Sequence, residues 1–419
     1  MPADNSMTLE LFASEDFSFA SSRKSALDHL NDFVPKAGRY ARDRNKVGSI
    51  HSSVSRLSPA IRHRLITEDE CCEALRKRFA DSTIEKFIQE VYWRRYWKSW
   101  LSLRPQVWTN YLNELSNFCS DSKYDELLER ASICEEGKSS IAVMNYFARE
   151  LISTGYLHNH ARMWFAGWWI HVERLPWQLG ADFFMRHLLD ADPASNTLSW
   201  RWVAGLQTPG KTYLPRRSNI ERYLDQDILA NHCAGLDQLE SVKAWLPAWA
   251  GREPVTCKHL PDVPEVGENG LGVWVHEEDM LPEYSPLREI NSEYLLVAGN
   301  VSSWSRLSLS KQRIEWTKSA LRDTYLRATE QFTAKVSLET TCPLHDAVSH
   351  WAKKHSLKQV VAMRPEVGPL ADMIPSLRAT LKGEGVQLLL LDRSQDRNLR
   401  SFATDGFFGF WKRVCAMGV

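Results

Sequence analysis

Residues 184–202 read FMRHLLDADPASNTLSWRW, and the rest of the chain is best read outward from them. An apolar helical run ends in two carboxylates one residue apart, Asp190 and Asp192. Pro193 interrupts the helix and leaves both acids near a loop mouth, with Asn196 and a Trp-x-Trp pair, Trp200 and Trp202, following. Carboxylates and an amide are costly to place behind an apolar helix unless each finds a partner.

The flanking sequence has two textures. From about Ser22 to Trp249, segments such as STIEKFIQEVYWRRYWKSWL and HARMWFAGWWIHVERL carry apolar residues at helical spacing. Residues 251–270 bring three Pro and three Gly into twenty positions and read as a linker. Beyond it the period changes. LGVWVHEEDM, EYLLVAGNV, LKQVVAMRP and VQLLLLDRS are short apolar runs with helical segments between them, which predicts a parallel α/β layer. The expected fold is mainly α, with a helical domain over 1–250 followed by a smaller, Rossmann-like parallel-sheet domain over 271–419.

Composition narrows the chemistry. Among 419 residues, Lys+Arg and Asp+Glu both total 52, so global charge gives no hint of a polyanionic partner. A local excess does exist: residues 36–104 hold 16 Lys/Arg against 8 Asp/Glu. The eight Cys show no Cys-x-x-Cys spacing, so no metal site is expected and reduced, cytoplasmic thiols are the default. No run approaches the ~18 apolar residues that span a bilayer. Of the 17 Trp, most are expected in the core, with a minority available for electron transfer or base stacking.

Three further clusters lie in the helical half. Glu90, Trp93, Arg94 and Trp97 share one helix face; alone, this reads first as an aromatic core stripe with one internal Glu–Arg pair. Asn159, Arg162 and Met163 are a turn apart. Ser52, Ser53, Ser55 and Ser58 precede Pro59 at a helix start, which suits either an anion or a plain serine cap.

Taken together and in this order, these segments resemble the flavin-binding helical domain of the DNA photolyase and cryptochrome family, from about Ser22 through Tyr223. YARDRN followed by SVSRLSP resembles the segment over the FAD phosphates, which implies that role for Tyr40, Ser55, Leu57 and Ser58. Val54 stands where many members carry a hydroxyl. IQEVYWRRY resembles the family's N-E-x-x-W-R helix, with Gln89 in place of Asn. It implies a substrate-contacting acid at Glu90, a lesion-stacking indole at Trp93 and an FAD contact at Arg94. STGYLHNHARM matches at Gly155, His158, Asn159, Arg162 and Met163, and DADPASNTLSWRW matches the D-x-D-x-A-x-N-x-x-x-W-x-W pattern.

The resemblance implies that Arg162 and Asp190 pair beside the isoalloxazine, Asp192 accepts from its imide N–H, and Asn196 faces N5. Trp93 and Trp202 would bracket a flipped pyrimidine dimer, with Glu90, Asn159 and Met163 also at the catalytic site. Trp200 and Trp177 would be the inner members of a photoreducing chain, and Tyr124 the candidate for its outer member. Arg95, Arg216 and Arg217, with the basic excess, would grip DNA phosphates.

The implied activity is FAD-dependent, light-driven splitting of cyclobutane pyrimidine dimers in UV-damaged DNA, a lyase reaction; the alternative is a cryptochrome-like photoreceptor without repair. The His pair that (6-4) photoproduct repair would place at positions 159 and 163 is absent. Family members usually carry the α/β antenna domain before the helical one. The segments after Gly270 resemble that domain, which implies a rearranged, circularly permuted order and leaves room for a folate or deazaflavin chromophore. A cytoplasmic monomer is expected.

Overall fold

The computed structural model describes residues 19–208, 211–245, 256–258, 262–300 and 309–418. The helices that position the site are α1 (Ser58–Arg62), α2 (Asp81–Ser102), α3 (Gln106–Ser120), α4 (Asn159–His171), α5 (Trp177–His187) and α6 (Pro193–Val203). The opening stretch folds as local chemistry dictates. Arg186 and His187 close α5, and Asp192 then caps α6, its Oδ1 accepting from the N–H groups of Ala194 and Ser195 at 3.0 and 2.9 Å. Pro193 occupies the first helical position, where the N–H it lacks has no intrahelical use.

Five strands form a wholly parallel sheet in the order β3-β2-β1-β4-β5: β1 (Leu271–Val275), β2 (Tyr294–Ala298), β3 (Lys335–Glu339), β4 (Gln359–Met363) and β5 (Gln387–Leu391). Crossovers run through α7 (Lys311–Gln331), α8 (Leu344–Lys354) and α9 (Pro369–Gly383). The chain then ends on α10 (Ser394–Phe402) and α11 (Phe407–Ala416). The four apolar runs read from sequence are β1, β2, β4 and β5. Strand β3 escaped that reading because KVSLE alternates along a partly exposed edge, where one face and one side need no apolar cover. Within the expected linker, residues 251–255 and 259–261 lie outside the described residues, and the described remainder carries no helix or strand.

The two textures do not keep separate cores. Leu57, Ile61, Leu65, Phe87 and Tyr92 of the helical half join Val273, Val275, Leu295, Val297 and Phe407 of the α/β half in one buried cluster. A second cluster lies within the later helices, and a third covers the other face of the sheet.

The interface is also ionic. The segment after β1, His276-Glu277-Glu278-Asp279, is buried, as are Arg62, His63 and Arg64 at the end of α1, with which it pairs. Arg62 donates to Glu278 through both terminal nitrogens, at 2.7 Å for Nη1. Arg64 pairs with Asp279 and Asp396, and Arg104 donates to the carbonyls of Ala403 and Thr404. Part of the basic excess expected over residues 36–104 is thus committed within the fold: Arg62, Arg64 and Lys98 face carboxylates of the α/β half, while Lys36, Arg39, Lys77 and Arg78 stay exposed. Arg95 is among the buried cations, held by Glu68 and Asp69 at 3.3 Å each, and so cannot reach a DNA phosphate.

Candidate functional site

Helices α4, α5 and α6 bring the polar groups of the opening stretch together. Arg162 makes a two-pronged pair with Asp190, Nη1 to Oδ1 at 3.0 Å and Nη2 to Oδ2 at 2.9 Å, while its Nε donates to the Leu157 carbonyl at 2.7 Å. The guanidinium is thereby fixed in direction as well as position. Gly155, with φ of +68°, ends the preceding helix; a Cβ there would meet the Leu189 side chain at 2.8 Å.

Asp192 is buried, and its second oxygen accepts from Arg94 Nη2 at 3.2 Å. Burial opposes its ionisation, yet Arg94, Lys98 and Arg62 hold the carboxyl below its usual range. Arg94 in turn donates to Glu68 at 2.6 Å. Burial works against the Glu68 charge too, but Arg95, Arg64 and Arg94 bring its pKa down to about 2. Asn196 donates its Nδ2–H to the Ala181 carbonyl at 2.8 Å, which leaves the amide oxygen as the group it can offer a ligand.

The phosphate-loop candidates cluster ahead of α1. Arg56 takes a left-handed turn at φ 53°, Ser55 Oγ accepts from the Leu57 N–H at 3.4 Å, and Ser58 opens the helix. Leu57 is buried as core, and Tyr40 packs edge-on against Phe33 and Phe87. Val54 lies between this loop and its His51 anchor, its N–H bonded to the His51 carbonyl. Gln89 is tied to its own helix through Glu85 and Lys86.

Glu90 is ion-paired to Arg44 and about one-third exposed, not paired to Arg94. Sequence reasoning missed Arg44, although it lies four residues after Tyr40, one turn along the same segment. It also missed Arg62 and Glu68, whose roles depend on distant partners. Asn159 is exposed at the start of α4 and Met163 is half-buried one turn on.

Several expected roles need correction. One face of Trp93, the indole expected to stack on a lesion, is covered by Phe407, with ring centroids 3.7 Å apart and planes 8° from parallel. Trp202 lies against Tyr213, with ring centroids 6.0 Å apart, and packs on the cluster of the later helices, whereas Trp93 packs on the cluster shared with the α/β half. Tyr124 packs on Phe118, whereas the ring stacked on Trp177 is Tyr111. Arg217 is paired to Glu221 and Glu240; Arg216 is exposed.

The residues present fit an isoalloxazine at α6. Among buried side-chain atoms without a hydrogen-bond partner are Ser195 Oγ and Thr197 Oγ1, flanking Asn196, and Trp200 Nε1 one turn beyond. Unmatched buried polar atoms of this kind cost about 1–3 kcal/mol each, which a polar ligand can offset. The Asp192 oxygen that takes Arg94 still has a lone pair for an imide N–H.

Residues 87–248 match the family model described as the FAD binding domain of DNA photolyase. A cryptochrome DASH of Idiomarina loihiensis is 27% identical over 231 residues, covering 54% of this chain and 50% of that protein. A deoxyribodipyrimidine photo-lyase of Agrobacterium fabrum is 29% identical over 206 residues, covering 46% and 40%. A bacterial class III photolyase structure from Agrobacterium tumefaciens aligns with a TM-score of 0.41 at 24% identity, over 50% of this chain and 44% of that one. The chain spans half or less of the length of these relatives. Over residues 87–248 the chain is therefore similar to the FAD binding domain of DNA photolyase, the part of the photolyases and cryptochromes that its helical half matches.

Proposed function

We propose that the chain holds FAD against Arg162, Asp190, Asp192 and Asn196 and uses absorbed blue light to split cyclobutane pyrimidine dimers in UV-damaged DNA. When bound, FAD supplies light absorption and a one-electron couple. The observation that carries this reading is the fixed Asn196 amide, whose oxygen is left to accept a proton-bearing ring nitrogen because its N–H is committed to Ala181. The Arg162–Asp190 pair orients the neighbouring wall, and Trp200 lies one turn further along α6 to supply electrons. Glu90, steadied by Arg44, keeps a part-exposed carboxylate that can accept from a thymine edge.

A second reading, a blue-light photoreceptor without repair, is favoured by the covered face of Trp93. A base entering there must displace Phe407. The separating experiment follows the ultraviolet absorbance of a dimer-containing oligothymidine under blue light with reduced holoprotein, wild type against Glu90→Gln. Restored absorbance that falls with Glu90→Gln supports repair. Normal flavin photoreduction with no restoration on single- or double-stranded substrate selects the photoreceptor.

A further inference from the structure

Trp177 has an aromatic neighbour on another helix. Gly180, one turn after Trp177 on α5, gives Trp200 its seat: a Cβ there would lie 2.3 Å from the indole. Tyr111 of α3 stacks on Trp177 with centroids 5.2 Å apart and planes at 28°, and Trp108 lies against Tyr111 at 5.5 Å. The buried Trp108 donates its indole N–H to Asp372 Oδ2 at 2.8 Å, across to α9 of the α/β layer.

The three rings differ in how well they can hold a positive hole. A phenol must shed its proton to be oxidised easily, and the Tyr111 hydroxyl is buried with no hydrogen-bond partner; burial also pushes its pKa well up. Tyr111 can therefore bridge but not trap. The Arg201 guanidinium sits 5.9 Å from the Trp177 ring centre and disfavours positive charge there. Trp108 faces a carboxylate instead. An oxidised indole is a much stronger acid at N–H than the neutral ring, and Asp372 Oδ2 already accepts that N–H at 2.8 Å.

We infer that Trp108 is the outer terminus of the electron-supply route and that Asp372, contributed by the α/β layer, is its proton acceptor. This rests on the flavin reading of the site. One electron leaves Trp108, crosses Tyr111 and Trp177 to refill oxidised Trp200, and has as its final acceptor the photoexcited flavin. The Nε1 proton passes to Asp372 Oδ2, leaving a neutral indolyl radical. An external thiol then returns one electron, and the proton goes back from Asp372 to Nε1. Asp372 is solvent-exposed, so its proton can also exchange with water.

The test has an arm that needs no flavin. Flash-generated ruthenium(III) tris-bipyridine oxidises the FAD-free protein, the radical is followed by transient absorption in H2O and D2O, and oxidised tryptophan is mapped by peptide mass spectrometry. Wild type should give the neutral indolyl radical with a solvent isotope effect and label Trp108. Asp372→Asn should slow conversion of cation to neutral radical about a hundredfold, and Trp108→Phe should move the label to Trp177. In holoprotein, both variants should slow thiol-dependent photoreduction while retaining flavin. Unchanged radical deprotonation in Asp372→Asn, or label on Tyr124 or Trp177 in wild type, overturns the inference. Loss of flavin binding with normal labelling overturns the flavin reading alone.

Discussion

Phe407 lies flat on Trp93, 3.7 Å between ring centroids and 8° between planes, joining the last helix of the chain to the helix that also carries Glu90 and Arg94. Tyr96 and Phe410 extend the contact, and the Tyr96 hydroxyl donates to the Asp405 carbonyl at 2.9 Å. Removing Phe407 should therefore both uncover the indole and loosen α11. Phe407→Ala should lower stability by about 3–5 kcal/mol, the range for a buried phenyl, read by urea denaturation. If dimer repair holds, the same variant should bind a dimer-containing oligothymidine more tightly than wild type below its melting temperature.

The Arg162–Asp190 pair should behave as a buried ion pair. Replacing Arg162 by Ala strands Asp190, and breaking such a pair costs about 3–5 kcal/mol. The variant should purify with little FAD. Full flavin occupancy and an unchanged melting curve would remove the pair from the site.

Docking of the α/β layer should depend on Arg62 and Glu278. Burial opposes both charges, yet their mutual attraction holds the Glu278 pKa down and the Arg62 pKa up. Glu278→Gln should destabilise by about 3–5 kcal/mol. The loss should be nearly independent of added salt, because buried pairs are screened far less than surface pairs. A strongly salt-dependent loss would point to a solvated interface.

Glu277 gives the stability curve a distinctive slope. Burial raises its pKa from 4.5 to about 7, helped by Glu278, and its Oε2 has no hydrogen-bond partner. The folded state thus binds this proton more tightly than the unfolded chain. Its contribution is fully present below about pH 4.5 and is lost as pH rises through 7, a change of up to about 3 kcal/mol. Glu277→Gln mimics the protonated acid, so the stability difference between variant and wild type should shift in favour of the variant by that amount across this window. A parallel pair of pH–stability curves would mean that Glu277 is charged throughout.

Gly180 tests the seat of Trp200. Gly180→Ala places a methyl where the indole lies, and overpacking of this kind costs about 1–3 kcal/mol. Trp200 should move, with a changed fluorescence spectrum and slower photoreduction. Trp200→Phe, which keeps aromatic bulk, should slow photoreduction without the packing loss.

Short-range chemistry is legible along the chain without its fold. Asp192 caps α6 and Pro193 starts it because a carboxylate can reach two free N–H groups and proline needs none, whatever lies elsewhere. The continuous apolar runs of β1, β2, β4 and β5 report burial on both faces, and the order of motifs from Tyr40 to Trp202 was enough to indicate a flavin domain. Tertiary structure decided the partners. Phe407 and Trp93, Arg62 and Glu278, and Trp108 and Asp372 are each separated by more than two hundred positions. Nothing local distinguishes one pairing among 52 cations and 52 carboxylates from another. Three cations of the basic stretch, Arg62, Arg64 and Lys98, therefore face carboxylates of the α/β layer, while others stay exposed. Charge density is visible in a sequence, but its neutralisation depends on which surfaces the chain's return brings within a few ångströms.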